Sequence, residues 1–208
     1  VDHEDDLVPV PAALAAVAVL VEPASVVEKA WELALRMHPG EPRRVLVLGA
    51  GPIGILAAWC ARSCGFEVTV LSREDDDSPR ARLLTANGVS YTRTLDGVSA
   101  DIVIEACGSA PLAVESMRVL RRLGVVILLG ARPAEVRLPC LDMIIGNHIL
   151  AASVNASFAH FERAVARLGG YDRRLLDPLL HRLPLRQAAE TVLHPPGAAV
   201  KIIHCISD

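Results

Sequence analysis

Short stretches that are apolar at every position alternate with longer ones that are apolar at every third or fourth position through most of the chain. Val45-Leu46-Val47-Leu48 is the clearest of the first kind. A run so short and so uniformly apolar suits a strand buried on both faces, as in a parallel sheet. Residues 24–37 are of the second kind, with Val27, Trp31, Ala34 and Leu35 at helical spacing and most charges elsewhere. They predict an amphipathic helix ended by His38-Pro39-Gly40. The alternation continues with a helix at 53–63, a strand at 67–71, and a helix at 79–87 with Ser78 as N-cap, Pro79 at N1 and Gly88 as its stop. Strands at 89–91 and 101–105 follow, then a helix over 112–123 closed by Gly124 and a strand at 125–129. A strand at 149–154 and a helix at 158–168, capped by Ser157 and ended by Gly169-Gly170, complete the series. Strand and helix alternating in this way predict right-handed βαβ units: an α/β protein with a doubly wound parallel sheet.

Both ends depart from that pattern. Residues 183–185, a short helical stretch to residue 193, a turn at Pro195-Pro196-Gly197 and a strand at 199–204 do not continue the alternation. They read as an appendage that needs a further partner. The uncharged stretches 7–21 and 45–61 contain prolines or glycines and fall short of the roughly 20 apolar residues of a membrane span.

Composition narrows the function classes. With 52% hydrophobic and 22% charged residues the 208-residue chain can bury a large core, but 3% aromatics leave that core to Val, Leu, Ile and Ala. A net charge of −3 argues against a general nucleic-acid or anionic-membrane surface. Five cysteines, an odd number, do not make a disulfide scaffold. Cys60 and Cys64 have i,i+4 spacing but no second pair to complete a metal site, so buried reduced thiols are expected, in a cytoplasmic setting.

The candidate chemistry lies in Val45-Leu46-Val47-Leu48-Gly49-Ala50-Gly51-Pro52-Ile53-Gly54. Gly49 allows the turn out of the strand, Gly51 lets a pyrophosphate reach the backbone, and Gly54 lets the helix approach the sheet. Free amides at the helix start, with Pro52 and Ile53 leading it, hold the phosphates. Because the motif follows an apolar strand and opens a helix, it predicts a Rossmann-type dinucleotide site. The second strand ends in Ser72-Arg73 rather than in a carboxylate. A small hydroxyl beside a guanidinium admits a 2′-phosphate, which favours NADP over NAD. The acidic Glu74-Asp75-Asp76-Asp77 works against that phosphate, and a small change of register offers Glu74 to a ribose instead.

Several stretches together resemble the zinc-dependent medium-chain dehydrogenases, and among them the glucose dehydrogenase branch. They are Leu20-Val21-Glu22-Pro23-Ala24-Ser25-Val26-Val27-Glu28-Lys29-Ala30, the glycine loop, Asp101-Ile102-Val103-Ile104-Glu105-Ala106-Cys107-Gly108, residues 124–130, and Ser153-Val154-Asn155-Ala156. The resemblance implies that Glu22 faces the catalytic zinc from the coenzyme side; by itself it is also a helix N-terminal Glu favoured by the dipole. It further implies that Cys107-Gly108-Ser109 and Gly130-Ala131-Arg132 line the nicotinamide side, and that Asn155 lies near nicotinamide and sugar. The family's N-terminal domain, with its zinc ligands and most of the sugar pocket, would precede Val1. His148, His160 and His204 show no ligand spacing and are expected as surface or satisfied polar groups.

Residues 1–22 are then a lead-in from the catalytic domain, 23–182 the coenzyme domain, and 183–208 the return segment. The expected function is the coenzyme-binding portion of an NAD(P)-dependent, zinc-assisted aldose dehydrogenase that binds coenzyme without turnover by itself. A non-catalytic dinucleotide-binding module, or the coenzyme domain of another alcohol or polyol dehydrogenase, is the alternative. The implied partners are a sugar and, through the apolar stretches 125–129 and 144–152, a second copy of the chain; nucleic acid and membrane are not expected.

Overall fold

The computed structural model describes residues 7–194, 196–197 and 199–206. Helix α1 (Val21–Met37) leads into β1 (Arg44–Leu48), α2 (Pro52–Ser63), β2 (Glu67–Leu71), α3 (Pro79–Thr85) and β3 (Ser90–Thr92). Then come β4 (Ala100–Glu105), α4 (Ala110–Ser116), β5 (Leu120–Leu128), α5 (Cys140–Gly146), β6 (Ile149–Ala152) and α6 (Phe158–Gly169). The six strands form one sheet in the order β3-β2-β1-β4-β5-β6, parallel throughout. Chain direction across the sheet reverses between β1 and β4, and such a switch point opens a crevice at the strands' carboxyl ends.

The uniformly apolar strand runs have their reason in the two cores. Val45, Val47, Val68, Val70, Ile102 and Ile104 point to the face covered by α1, α2, α3 and α6. Leu46, Leu48, Val103 and Val126 point to the other, where Ala113, Met117 and Met143 pack. Neither face meets water, so polar alternation would leave unpaired groups inside.

The start of β1 is pinned by a side chain of β4. Asp101, 9% exposed, accepts hydrogen bonds from the backbone N–H groups of Arg43 (2.8 Å) and Arg44 (2.9 Å), and its other oxygen meets Arg121 at 3.2 Å. Asp101→Ala leaves two amides without their acceptor. A loss of about 1–3 kcal/mol in urea unfolding is expected, with the coenzyme loops at the opposite end of β1 unchanged.

Three sequence expectations are corrected here. The helix expected over 112–123 ends at Ser116; a 3-10 turn (Met117–Val119) follows and β5 begins at Leu120. Leu112, Met117 and Leu120 imitate a helical stripe, yet pairing with β4 wins, at the cost of a register break opposite Ala100/Ile102 and a left-handed Leu123 (φ 68°). The stretch 125–129 is not at the sheet's edge, because β6 lies outside β5 and Val125, Val126 and Ile127 are fully buried. Buried thiols were expected, but of the cysteines only Cys60 is buried; Cys107 and Cys205 are half-buried, and Cys64 and Cys140 are exposed.

The ends carry structure that periodicity concealed. Ala12–Leu20 is a 3-10 helix whose Leu14, Val17 and Leu20, three apart, bury a single stripe, as a three-residue turn requires. Near the C-terminus, α7 (Arg173–Leu176), β7 (Leu180–Pro184), α8 (Ala188–Leu193) and β8 (Lys201–Cys205) follow α6; β7 and β8 pair in parallel as a separate two-stranded sheet. The expected turn at 195–197 falls partly, and His3 to Asp6 wholly, outside the described residues. Among the described residues no helix is long and apolar enough to cross a membrane.

Candidate functional site

The loop after β1 is where strand, turn and helix meet most closely. Gly49 has φ +103°, and a Cβ there would stand 2.8 Å from Cys107 Cβ in the loop after β4. Only a glycine satisfies both the backbone angle and that approach. Its N–H donates to Leu71 O at 2.7 Å, tying the loop to the end of β2. Helix α2 then starts with Gly51 as N-cap and Pro52 at N1, and no side chain caps it. Pro52 has no N–H, so the amides of Ile53 and Gly54 are the donors that the first turn presents outward. A Cβ at Gly51 would meet nothing within 4 Å, so the approach to those amides is open. An uncapped helix N-terminus with clear access is a fit for a pyrophosphate.

Ser72 and Arg73 follow β2 at the same edge. Ser72 N–H donates to Thr92 O at 3.1 Å, and the Ser72 side chain lies near enough to the Tyr91 hydroxyl to favour its ionised form. Burial raises the Tyr91 pKa and Ser72 only partly offsets it, so the phenol stays protonated and donates to Glu74 O at 2.9 Å. The exposed Arg73 side chain lies close enough for its charge to favour the Cys107 thiolate. Burial and then the Glu105 carboxylate outweigh that charge and push Cys107 up to about 11, so it is a neutral wall of the site.

Half of the acidic run, which by sequence opposed a 2′-phosphate, is paired: Glu74 with Arg80 at 2.8 Å and Asp75 with Arg93 at 2.8 Å. Asp76 and Asp77 are exposed, and Arg73 has no such ion pair among the described residues.

The loops after β4 and β5 are organised by Glu105, which the sequence reading did not single out. It is 1% exposed. One carboxylate oxygen accepts from the N–H groups of Cys107 (2.7 Å) and Ser109 (3.1 Å), the other from Gly130 N–H (3.1 Å). Burial opposes the charge, but the bonds from Cys107, Ser109 and Gly130 prevail and hold the pKa below the ordinary carboxylate value. Gly108 and Gly130 touch so closely that a Cβ on Gly130 would be 2.2 Å from Gly108 Cα. The only sequence signal was a charged residue directly after the apolar run Ile102-Val103-Ile104.

Asn155 sits beyond β6 in a left-handed conformation (φ 58°), exposed. Its loop is held to α1 by Lys29 Nζ donating to Val154 O at 2.8 Å. Glu22 is exposed in the first turn of α1 and lines a hollow of about 520 Å³ with Leu7, Val8, Val10, Ala18, Val21, Phe158 and Phe161. No cluster of three His, Cys, Asp or Glu able to hold a metal exists among the described residues, so Glu22 by itself is no zinc site. His204 is engaged by Thr191, as expected; His160 bonds Ser157 through Nδ1 only, and its Nε2, like the Nδ1 of His148, is buried without a hydrogen-bond partner.

Sheet order, switch point and uncapped glycine loop together define a Rossmann-type nucleotide-binding domain of the kind found in dehydrogenases. Residues 15–202 match the family model described as glucose dehydrogenase C-terminus, and the chain belongs to that family. It is 39% identical over 190 residues to glucose 1-dehydrogenase of Thermoproteus tenax, covering 82% of this chain and 54% of the relative. With that of Methanocella arvoryzae the identity is 35%, over 83% of this chain and 53% of the relative. Among solved structures, Haloferax mediterranei glucose dehydrogenase in complex with NADP, Zn and gluconolactone superposes with a TM-score of 0.86 at 25% identity, covering 97% of this chain and 62% of that one. The chain thus spans about half the length of the curated relatives it matches.

Proposed function

We propose that this chain is the coenzyme-binding portion of an NADP-dependent, zinc-assisted aldose dehydrogenase. The observation that carries the reading is the uncapped start of α2 at the switch point, with Arg73 just past the end of the next strand and the two acids that follow it, Glu74 and Asp75, paired with Arg80 and Arg93. NADP supplies the hydride acceptor when bound. The residues of this chain act by placement. Ile53 and Gly54 amides hold the pyrophosphate, and Ser72 and Arg73 take the 2′-phosphate. Cys107, Gly108 and Gly130 form the wall on which the nicotinamide rests, and Asn155 offers an amide to the nicotinamide or sugar. Glu22 is the one carboxylate assigned to face zinc, which needs further ligands.

In this reading residues 1–22 and 183–208 are the two passages to a catalytic domain, and the chain by itself binds coenzyme without oxidising sugar. The protein works in the cytoplasm and self-associates at β6, where Ile144 and Ile145 stand 73% and 63% exposed on the neighbouring α5. Coenzyme choice is the direct test. Titrating NADPH and NADH against tryptophan fluorescence is expected to give tighter NADPH binding, and Arg73→Ala to weaken NADPH about tenfold with NADH unmoved. An unchanged preference in the variant would remove Arg73 from the site.

A further inference from the structure

Away from the coenzyme loops, five side chains from α1, α2 with its C-cap, and α6 meet on the face that carries these helices. Glu28 of α1, 4% exposed, accepts from both Nε and Nη2 of Arg167 in α6. The remaining nitrogen, Nη1, donates to Ser63 Oγ at 3.0 Å and reaches Cys64 Sγ at 3.8 Å. Cys60, one turn earlier on α2, completes the group. Its Sγ faces Glu28 Oε1 at 3.9 Å on one side and the Cys64 sulfur on the other.

The two thiols differ in access. Cys60 is buried, whereas Cys64 is exposed and borders a surface depression of about 250 Å³ with Pro42, Arg43, Gly65, Phe66 and Glu67. They also differ in charge. The neighbouring Cys60 thiol lowers the Cys64 pKa, burial opposes it, and Arg167 and Ser63 lower it further, to about 5. Cys60 moves the opposite way, first through the neighbouring Cys64, then through burial and the Glu28 charge. A thiolate at the surface beside a protonated thiol within is the division of labour that oxidation chemistry uses.

We propose that Cys64 is a peroxide-reactive thiolate and Cys60 its resolving thiol. The Cys64 sulfur attacks one oxygen of hydrogen peroxide; the O–O bond breaks, a sulfenic acid forms, and the released hydroxide leaves as water after taking a proton. The Cys60 sulfur then attacks the Cys64 sulfur. An S–S bond forms, the S–O bond breaks, and the hydroxyl leaves as water with the Cys60 proton. Two thiols have lost two electrons and one peroxide has become two waters. Cα atoms one helical turn apart are about 6 Å from each other, within the Cα span of a disulfide, but the Cβ atoms, about 5–6 Å apart in a helix, must close to about 4 Å. Cys64, the C-cap of α2 (φ −87°, ψ 4°), closes that gap by giving up its N–H bonds to Cys60 O and Ala61 O, so the cross-link frays the last turn.

The test is peroxide treatment of the purified chain, with each cysteine's oxidation followed by peptide mass spectrometry. Cys64 is expected to react about tenfold faster than Cys140, the other exposed thiol, because it has the greater thiolate fraction. Its product is a 60–64 cross-link lighter by two hydrogens and reversed by dithiothreitol. In Cys60→Ser the reaction stops at a Cys64 sulfenic acid that dimedone captures, and in Arg167→Met the Cys64 rate falls toward that of Cys140. Equal rates for Cys64 and Cys140 in the unaltered protein overturn the proposal, as does oxidation of Cys64 beyond sulfenic acid with Cys60 still free. Both readings use the unaltered chain and stand whether or not a variant folds.

Discussion

Gly54→Ala is expected to abolish most coenzyme binding while the six-stranded sheet survives. The Cβ it adds would stand 2.0 Å from the carbonyl oxygen of Gly49 and 3.0 Å from its carbon. Both are backbone atoms of the glycine loop, so no rotamer change relieves the clash. Either α2 moves outward or the loop is displaced. Overpacking of this kind costs about 1–3 kcal/mol of stability, and the same displacement takes the Ile53 and Gly54 amides away from the pyrophosphate. Affinity for NADPH is expected to fall on the order of 100-fold, a loss of about 2.7 kcal/mol. Fluorescence titration beside a urea melt separates the two effects. Gly51→Ala is the contrast: its Cβ meets no protein atom, so stability is expected to hold while NADPH binding falls. Wild-type affinity in Gly54→Ala would show that the helix–loop contact does not govern the site.

Glu105→Gln carries the second large effect. One amide oxygen replaces two carboxylate oxygens that accept three backbone N–H bonds. Whichever way the amide turns, its NH₂ faces a backbone donor inside the protein. A loss of about 2–4 kcal/mol is expected, together with loosening of the Cys107–Ser109 and Gly130 loops and weaker NADPH binding. The pH dependence supplies an independent check. The folded-state pKa of Glu105 lies below its unfolded value. Its stabilisation is therefore full above the ordinary carboxylate pKa and disappears as pH falls through the lowered one. Urea midpoints of the wild type are expected to drop over that acid range more steeply than those of the variant. Parallel profiles would remove Glu105 as the source.

The glycine loop and most elements were legible because local chemistry decides them. Glycines after an apolar strand, Ser78 and Ser157 before helices, and residues 24–37 with one apolar face all act within a few residues of themselves. The stretch 112–123 misled for the opposite reason. Its apolar spacing serves a helix and a strand equally, and the partner that decides, β4, is fixed only by the sheet. Tyr91 and Glu105 were passed over because their role is a contact made elsewhere: a phenol beside Ser72, a carboxylate beneath two loops. The acidic run was a local observation that the fold tempers, since Arg80 and Arg93 reach Glu74 and Asp75 only once α3 and β3 are in place, while Asp76 and Asp77 stay exposed.

By itself the amino-acid sequence determined the α/β class, the strand that ends in the glycine loop and the missing carboxylate after the second strand. These follow from patterning, turn chemistry and residue type, which need no distant partner. Tertiary structure alone decided that Glu105 binds two loops together, that Glu22 shares a hollow with Phe158 and Phe161 of α6, and that Cys60 and Cys64 meet Glu28 and Arg167 from two other helices. Burial and opposing charge act over a few ångströms between residues up to 139 positions apart, and only the folded chain brings them within that range.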